Sequence, residues 1–166
     1  MGEAHGDGGG AGPLAAWYDA HAAWMYRHAL MLVTDHAAAE DAVQQVFAKL
    51  ASMDGRLESV DHARAYLRRT VRGECYRMLA RERRGTNRRP LLEPAAAEVE
   101  HGGEREELEA ALRALPPEQR EVVHLKVYEA MTFEQIATVL EVSPNTAASR
   151  YRYAIEKLRK FLEARR

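Results

Sequence analysis

A single cysteine, Cys75, is all the thiol that this 166-residue chain carries. It therefore cannot form an intramolecular disulfide or a multi-thiolate zinc site, it suits a reducing compartment, and its expected role is that of a small buried hydrophobe. Long apolar runs are missing too. The longest, Ala29 to Val33, falls far short of a membrane span, and no basic stretch followed by an apolar core opens the chain, so neither an anchor nor a secretory leader is expected. The seven histidines are scattered from His5 to His124 without HxxxH or HExxH spacing, which argues against a metal site. There is no nucleophile elbow, and the N-terminal glycines precede no Lys-Ser pair that would make a phosphate cradle. An enzyme is therefore not expected, nor a cofactor. Strand-like alternation and internal repeats are absent as well. What remains is an all-α, cytoplasmic protein that works by binding.

The glycines and prolines that are present mark boundaries. Gly2, Gly6, Gly8, Gly9, Gly10 and Gly12 crowd the start, and Pro90, Pro94, Gly102 and Gly103 lie mid-chain. These predict a disordered tail over residues 1–13 and a flexible linker over 85–103, leaving two small helical domains at 14–84 and 104–166. The net charge of -1 conceals a strong segregation. From Arg64 to Arg89, ten arginines face only Glu74 and Glu82, and from Asn145 onward Arg150, Arg152, Lys157, Arg159, Lys160, Arg165 and Arg166 face only Glu156 and Glu163. The compensating acid lies elsewhere, notably from Glu93 to Glu121. Two separate basic blocks point to two anion contacts on different domains, although a solvated helix face is the commoner meaning of any one such run.

Apolar spacing predicts the helices. Leu14, Trp17, Tyr18, His21, Met25, His28, Ala29 and Leu32 fall on one face of a first helix. Thr34 or Asp35 can cap a second, with Ala39, Val43, Val46, Phe47 and Leu50 inward and Glu40, Asp41, Gln44, Gln45 and Lys49 on the other side. After a loop from Ser52 to Val60, a third helix is expected from about Asp61 to Arg84, packing through Leu67, Val71, Cys75, Met78 and Leu79 and ending at Gly85. In the second domain, Leu108, Ala111, Leu112 and Leu115 define a helix from Glu104. Pro116-Pro117 starts another that packs through Val122, Val123, Leu125 and Val127.

The carboxy-terminal segment carries the sharpest local signal. Thr132-Phe133-Glu134-Gln135 has the capping-box form and opens a short helix with Ile136, Ala137 and Leu140. Only Glu141 and Val142 intervene before Ser143-Pro144, a cap residue and a first-turn proline, which launches a basic helix to about Leu162. The pattern is a helix-turn-helix, whose second helix places its first turns in the DNA major groove; an ordinary capped helical hairpin is the bland alternative. Asn145, Thr146, Ala148, Ser149 and Arg152 are expected outward and Ala147, Tyr151, Ile155 and Leu158 inward. Asn and Arg can make bidentate base contacts, and Ala148 can touch a thymine methyl. Glu141 sits where such turns often use Gly.

Leu112-x-x-Leu115-Pro116-x-x-x-Arg120-Glu121-Val122, Glu134-x-Ile136-Ala137, Ser143-x-x-Thr146-x-x-Ser149-Arg150 and Leu158-Arg159 resemble region 4 of the extracytoplasmic-function sigma factors of bacterial RNA polymerase. Upstream, Ala39-Glu40-Asp41-x-Val43-Gln44-x-Val46-Phe47-x-x-Leu50 is similar to the helix of region 2 that docks on the polymerase clamp. The resemblance implies a three-helix region 2 that binds core RNA polymerase and captures the minus-ten promoter element, and a four-helix region 4 that reads the minus-thirty-five element as duplex. It assigns polymerase binding to Asp41, Gln44 and Gln45, minus-ten contacts to Arg68, Arg69, Arg72, Arg77 and Arg81, and minus-thirty-five contacts to Asn145, Thr146, Ala148, Ser149 and Arg152. The Ser52 to His62 loop stands where family members trap an unstacked base. An anti-sigma factor is a further partner that the family implies. Two departures stand out: Gly73 where the family usually has Asn, and Arg77 where it has Asp or Asn, which throws the weight of minus-ten contact onto the arginines. Tyr153 and Ile155 also replace family arginines. A mimic that sequesters an anti-sigma factor without initiating transcription is the rival reading.

Overall fold

The computed structural model describes residues 13–52, 63–85 and 103–164. The tail before Pro13, the loop after Ser52 with Asp61, and the interior of the 85–103 connector lie outside the described residues. The chain is all-helical there, with α1 Pro13–Val33, α2 His36–Ala51, α3 Ala63–Gly85, α4 Glu104–Ala114, α5 Pro117–Val127, α6 Phe133–Leu140 and α7 Pro144–Glu163. No described helix is long and apolar enough to cross a membrane.

Helices α1 to α3 form one bundle. Met25, Ala29 and Leu32 of α1, Val43, Val46, Phe47 and Leu50 of α2, and Leu67, Val71 and Cys75 of α3 close its core. Asp35 caps α2, its carboxylate accepting from the Ala38 N–H at 2.8 Å, while Thr34 turns the chain with a positive φ of 59°. Tyr18, expected inward, is half exposed. Its ring leans on Phe47 with centroids 4.9 Å apart, so it covers the core edge rather than entering it.

The second bundle has two adjoining cores. Ala111, Leu115, Val123, Ala154 and Leu158 join α4, α5 and α7; Val122, Leu125, Ile136, Leu140 and Ala147 join α5, α6 and α7. Three expected core positions are corrected here. Leu108, Val127 and Ile155 are exposed. On α7 the core stripe runs Ala147, Tyr151, Ala154, Leu158, which leaves Ile155 one position around the helix from the seam. Val127 is the last residue of α5, and Leu108 sits a turn before Ala111 and Leu112 enter the seam. No apolar cluster spans the two bundles among the described residues. Helix α1 packs against α5, and ion pairs run between the bundles.

Candidate nucleic-acid and polymerase interfaces

The helix-turn-helix forms as its caps dictate. Thr132 and Gln135 exchange both capping-box bonds, at 3.2 and 2.8 Å, to start α6. Glu141 ends it in the left-handed region, φ 58° and ψ 44°, and returns its N–H to the Ala137 carbonyl. This is the conformation for which glycine is usually chosen. Ser143 then caps α7, its hydroxyl accepting from the Thr146 N–H at 3.0 Å. With Pro144 pre-set at the first helical position, the axis of α7 is fixed at its N-terminal end.

On the first turns of α7, Asn145 and Arg152 are exposed, whereas Thr146, Ala148 and Ser149 are partly covered. The Thr146 hydroxyl lies 2.8 Å from that of Ser143, so it extends the cap. Arg152 stacks over Tyr153 with its guanidinium carbon 5.2 Å from the ring centre. On α2, Asp41, Gln44 and Gln45 are all exposed on the face opposite the core.

The arginines of α3 are not a free basic face. Arg68 is buried and pairs with Glu129, its guanidinium lying over Trp24 at 5.7 Å. Arg69 pairs with Glu141. The Arg72 Nε donates to both oxygens of Glu121, at 2.9 and 3.1 Å. Arg77 instead pairs within its own helix with the buried Glu74, which also takes Lys49. Arg81 is exposed. Three of the five arginines assigned to minus-ten DNA therefore meet acids from the second bundle.

Glu121 is the centre of this contact. It is fully buried and accepts from the Tyr76 hydroxyl at 3.0 Å, while His28 Nε2 lies 3.5 Å from its other oxygen. Burial alone would raise its pKa, but His28 and Arg72 outweigh burial and hold the carboxyl below its ordinary range. Burial works against the charge on Arg72 too; Glu121 and Tyr76 more than offset it and raise the Arg72 pKa. Burial also pushes Cys75 up to about 12, with the Glu121 and Glu74 charges adding to it. His124 is lowered to about 4, first by burial and then by His28.

His28, His124 and Glu129 bring ligand atoms within 4.8 Å of one another, a grouping that sequence spacing could not reveal. Glu129 is, however, already engaged with Arg68. Sequence reasoning gave no role to Trp24, Tyr76, His124 and Glu129; it placed His28 only on the inward face of α1 and Glu121 only within the region 4 motif and the acidic segment. The only advance signal was the acid surplus around Glu121 that balances the basic third helix.

Residues 17–85 match the family described as Sigma-70 region 2, and residues 105–158 match Sigma-70, region 4. ECF RNA polymerase sigma factor SigL of Mycobacterium tuberculosis is 31% identical over 161 residues, covering 90% of this chain and 89% of that protein. The chain belongs to the extracytoplasmic-function sigma factors. This sigma factor is also similar to the RNA polymerase sigma-E factor of Streptomyces coelicolor, 35% identical over 147 residues, with 85% of this chain and 81% of that protein covered. Among solved structures, the sigma factor RpoE of Bartonella quintana in complex with the anti-sigma factor NepR shares the fold, with a TM-score of 0.63 at 22% identity over 87% of this chain and 92% of that one. In this sigma factor α1–α3 fall in region 2 and α4–α7 in region 4.

Proposed function

We infer that this chain binds core RNA polymerase and directs promoter-specific initiation of transcription, and that it does so in the cytoplasm. The observation that carries this reading is the pairing, in one chain, of an exposed polar patch on the region 2 helix α2 with a fully capped helix-turn-helix in region 4. Asp41, Gln44 and Gln45 can hydrogen-bond a basic partner helix without disturbing the core beneath them. Asn145 and Arg152 reach base edges of the minus-thirty-five element, with Ala148 and Ser149 close to the same groove wall and Thr146 setting the helix start. Arg68, Arg69, Arg72, Arg77 and Arg81 serve the minus-ten element, holding phosphates of melted DNA. An anti-sigma factor is a further proposed partner.

The test is reconstitution: purified protein is added to core polymerase and the transcripts are sequenced. A set of start sites sharing two upstream elements is expected, and its absence would remove the reading. In the same assay Gln44→Ala with Gln45→Ala should weaken binding to core polymerase while leaving the melting temperature unchanged, because neither side chain is buried. Unchanged affinity in a competition against a reference sigma factor would take the polymerase contact away from α2.

A further inference from the structure

His28 stands out on the inward face of α1. Its neighbours there are Met25, Ala29 and Leu32, it is 1% exposed, and neither ring nitrogen has a hydrogen-bond partner. Buried polar groups are ordinarily satisfied, and an orphan among them calls for a water or an ion. The ring faces His124 of α5, with centroids 5.9 Å apart and planes inclined at 68°. Glu129, in the turn after α5, completes a group of three whose ligand atoms all lie within 4.8 Å of one another. Its two oxygens are divided: Oε2 takes Arg68, while Oε1 lies 3.7 Å from His124 Nε2. Glu121 is outside the trio and stands 3.5 Å from His28 Nε2.

We propose that His28, His124 and Glu129 form a site for a divalent transition-metal ion of the zinc type, with one ligand from region 2 and two from region 4. Two imidazoles and a carboxylate are a donor set that zinc accepts, with water in the fourth place. Magnesium and calcium, which seek six or more oxygens, are poorly served by it. Across a tetrahedral zinc the ligand atoms stand about 3.4 Å apart, so the rings and the carboxylate close on the ion by small side-chain rotations. The surroundings suit this. Arg68 holds the second oxygen of Glu129 and Glu121 backs the His28 ring, the kinds of support that metal-bound carboxylates and histidines commonly have. Arg68 and Arg72 are each balanced by a carboxylate, and Arg64, the other arginine near Glu129, is 63% exposed, where water screens it. An ion held this way is a removable staple between the regions, and unlike an exposed ion pair it is not loosened by salt screening. The site does not depend on what either region binds.

The test uses the full chain, stripped of metal with a chelator. Cobalt(II) serves as the visible probe, because four-coordinate cobalt absorbs far more strongly than the aqueous ion, and zinc is then added to displace it. One equivalent of cobalt should give the full band, and zinc should abolish it. His124→Gln and Glu129→Gln should each weaken binding of both ions by at least about tenfold, while circular dichroism shows the helix content kept. His36→Gln, at an exposed histidine outside the trio, should bind like the parent. Small-angle scattering at high salt, where exposed ion pairs are screened, should find the parent more compact with zinc than without it, and His124→Gln indifferent to zinc. The absence of a cobalt band overturns the site. So does a band that both ligand variants keep at parental affinity, which means an adventitious ion only, held by surface histidines. One ion bound at the trio with no effect of zinc on compactness at high salt overturns the bridge between the regions.

Discussion

Phe47 and His124 show how much one side chain can carry. Phe47 is 8% exposed, with Tyr18 against its ring. Truncation to Ala leaves a cavity that α1 and α2 cannot close, so Phe47→Ala should destabilise region 2 by about 3 to 5 kcal/mol. A thermal melt that does not move would place Phe47 outside the core. His124 acts through protonation. It faces His28 from α1, Arg68 from α3, and Glu121, Tyr128 and Glu129 from its own segment. Its pKa is lowered from 6.5 to about 4, so folding favours the neutral ring. The stability this gives is fully present above pH 6.5 and is lost as pH falls towards 4, by at most roughly 3 kcal/mol. Glu121, also lowered, is lost in the same acid direction. Melting temperature should therefore drop between those pH values, and His124→Gln should flatten the drop; an equal slope in the variant would assign the effect elsewhere.

At the level of elements, α3 and α7 behave differently because their glycine and cap chemistry differ. Gly73 lies inside α3 with nothing within 4 Å of where a Cβ would stand. Gly73→Ala should stabilise the helix by about 1 kcal/mol, read as a higher midpoint in urea; a lower one would mean that the position needs glycine for a reason outside the helix. For α7, replacing Asn145 or Arg152 with Ala should cost about 1 to 3 kcal/mol on the preferred upstream duplex and relax sequence preference. Removing Lys157 or Arg159 should weaken all duplexes alike and lower the salt slope by about one unit if they hold phosphate. Titrations on specific and scrambled duplexes at two salt concentrations separate the two signatures; Asn145 and Arg152 variants that bind like the parent would end the case for α7 as a reader. These elements were legible because their signals are local. The Thr132 capping box and Ser143 fix helix starts by contacts within three residues, and Pro117 does so by its own preset backbone angle. Ile155 was misread because apolar character alone does not say which of two adjacent stripes, Ala154 or Ile155, meets the seam.

On the scale of the whole molecule, legibility ended where partners are far apart in sequence. Arg72 and Glu121 are separated by 49 positions and Arg68 and Glu129 by 61. An arginine destined for an ion pair looks, in sequence, like one destined for DNA. The exposed patch of Asp41, Gln44 and Gln45 could be read in advance because solvent exposure follows from helical periodicity; the engagement of α3 could not. Cys75 turns this architecture into something that can be timed. Its thiol is buried in the region 2 core and, with its pKa pushed up to about 12, is almost wholly unionised at neutral pH. A thiol reagent can modify it only in moments when the helices around it part. The rate of labelling is thus a built-in clock for the opening of region 2, to be followed by mass spectrometry with no engineered probe. Labelling of the parent should be orders of magnitude slower than that of the urea-unfolded chain, and core polymerase should slow it further if it clamps region 2.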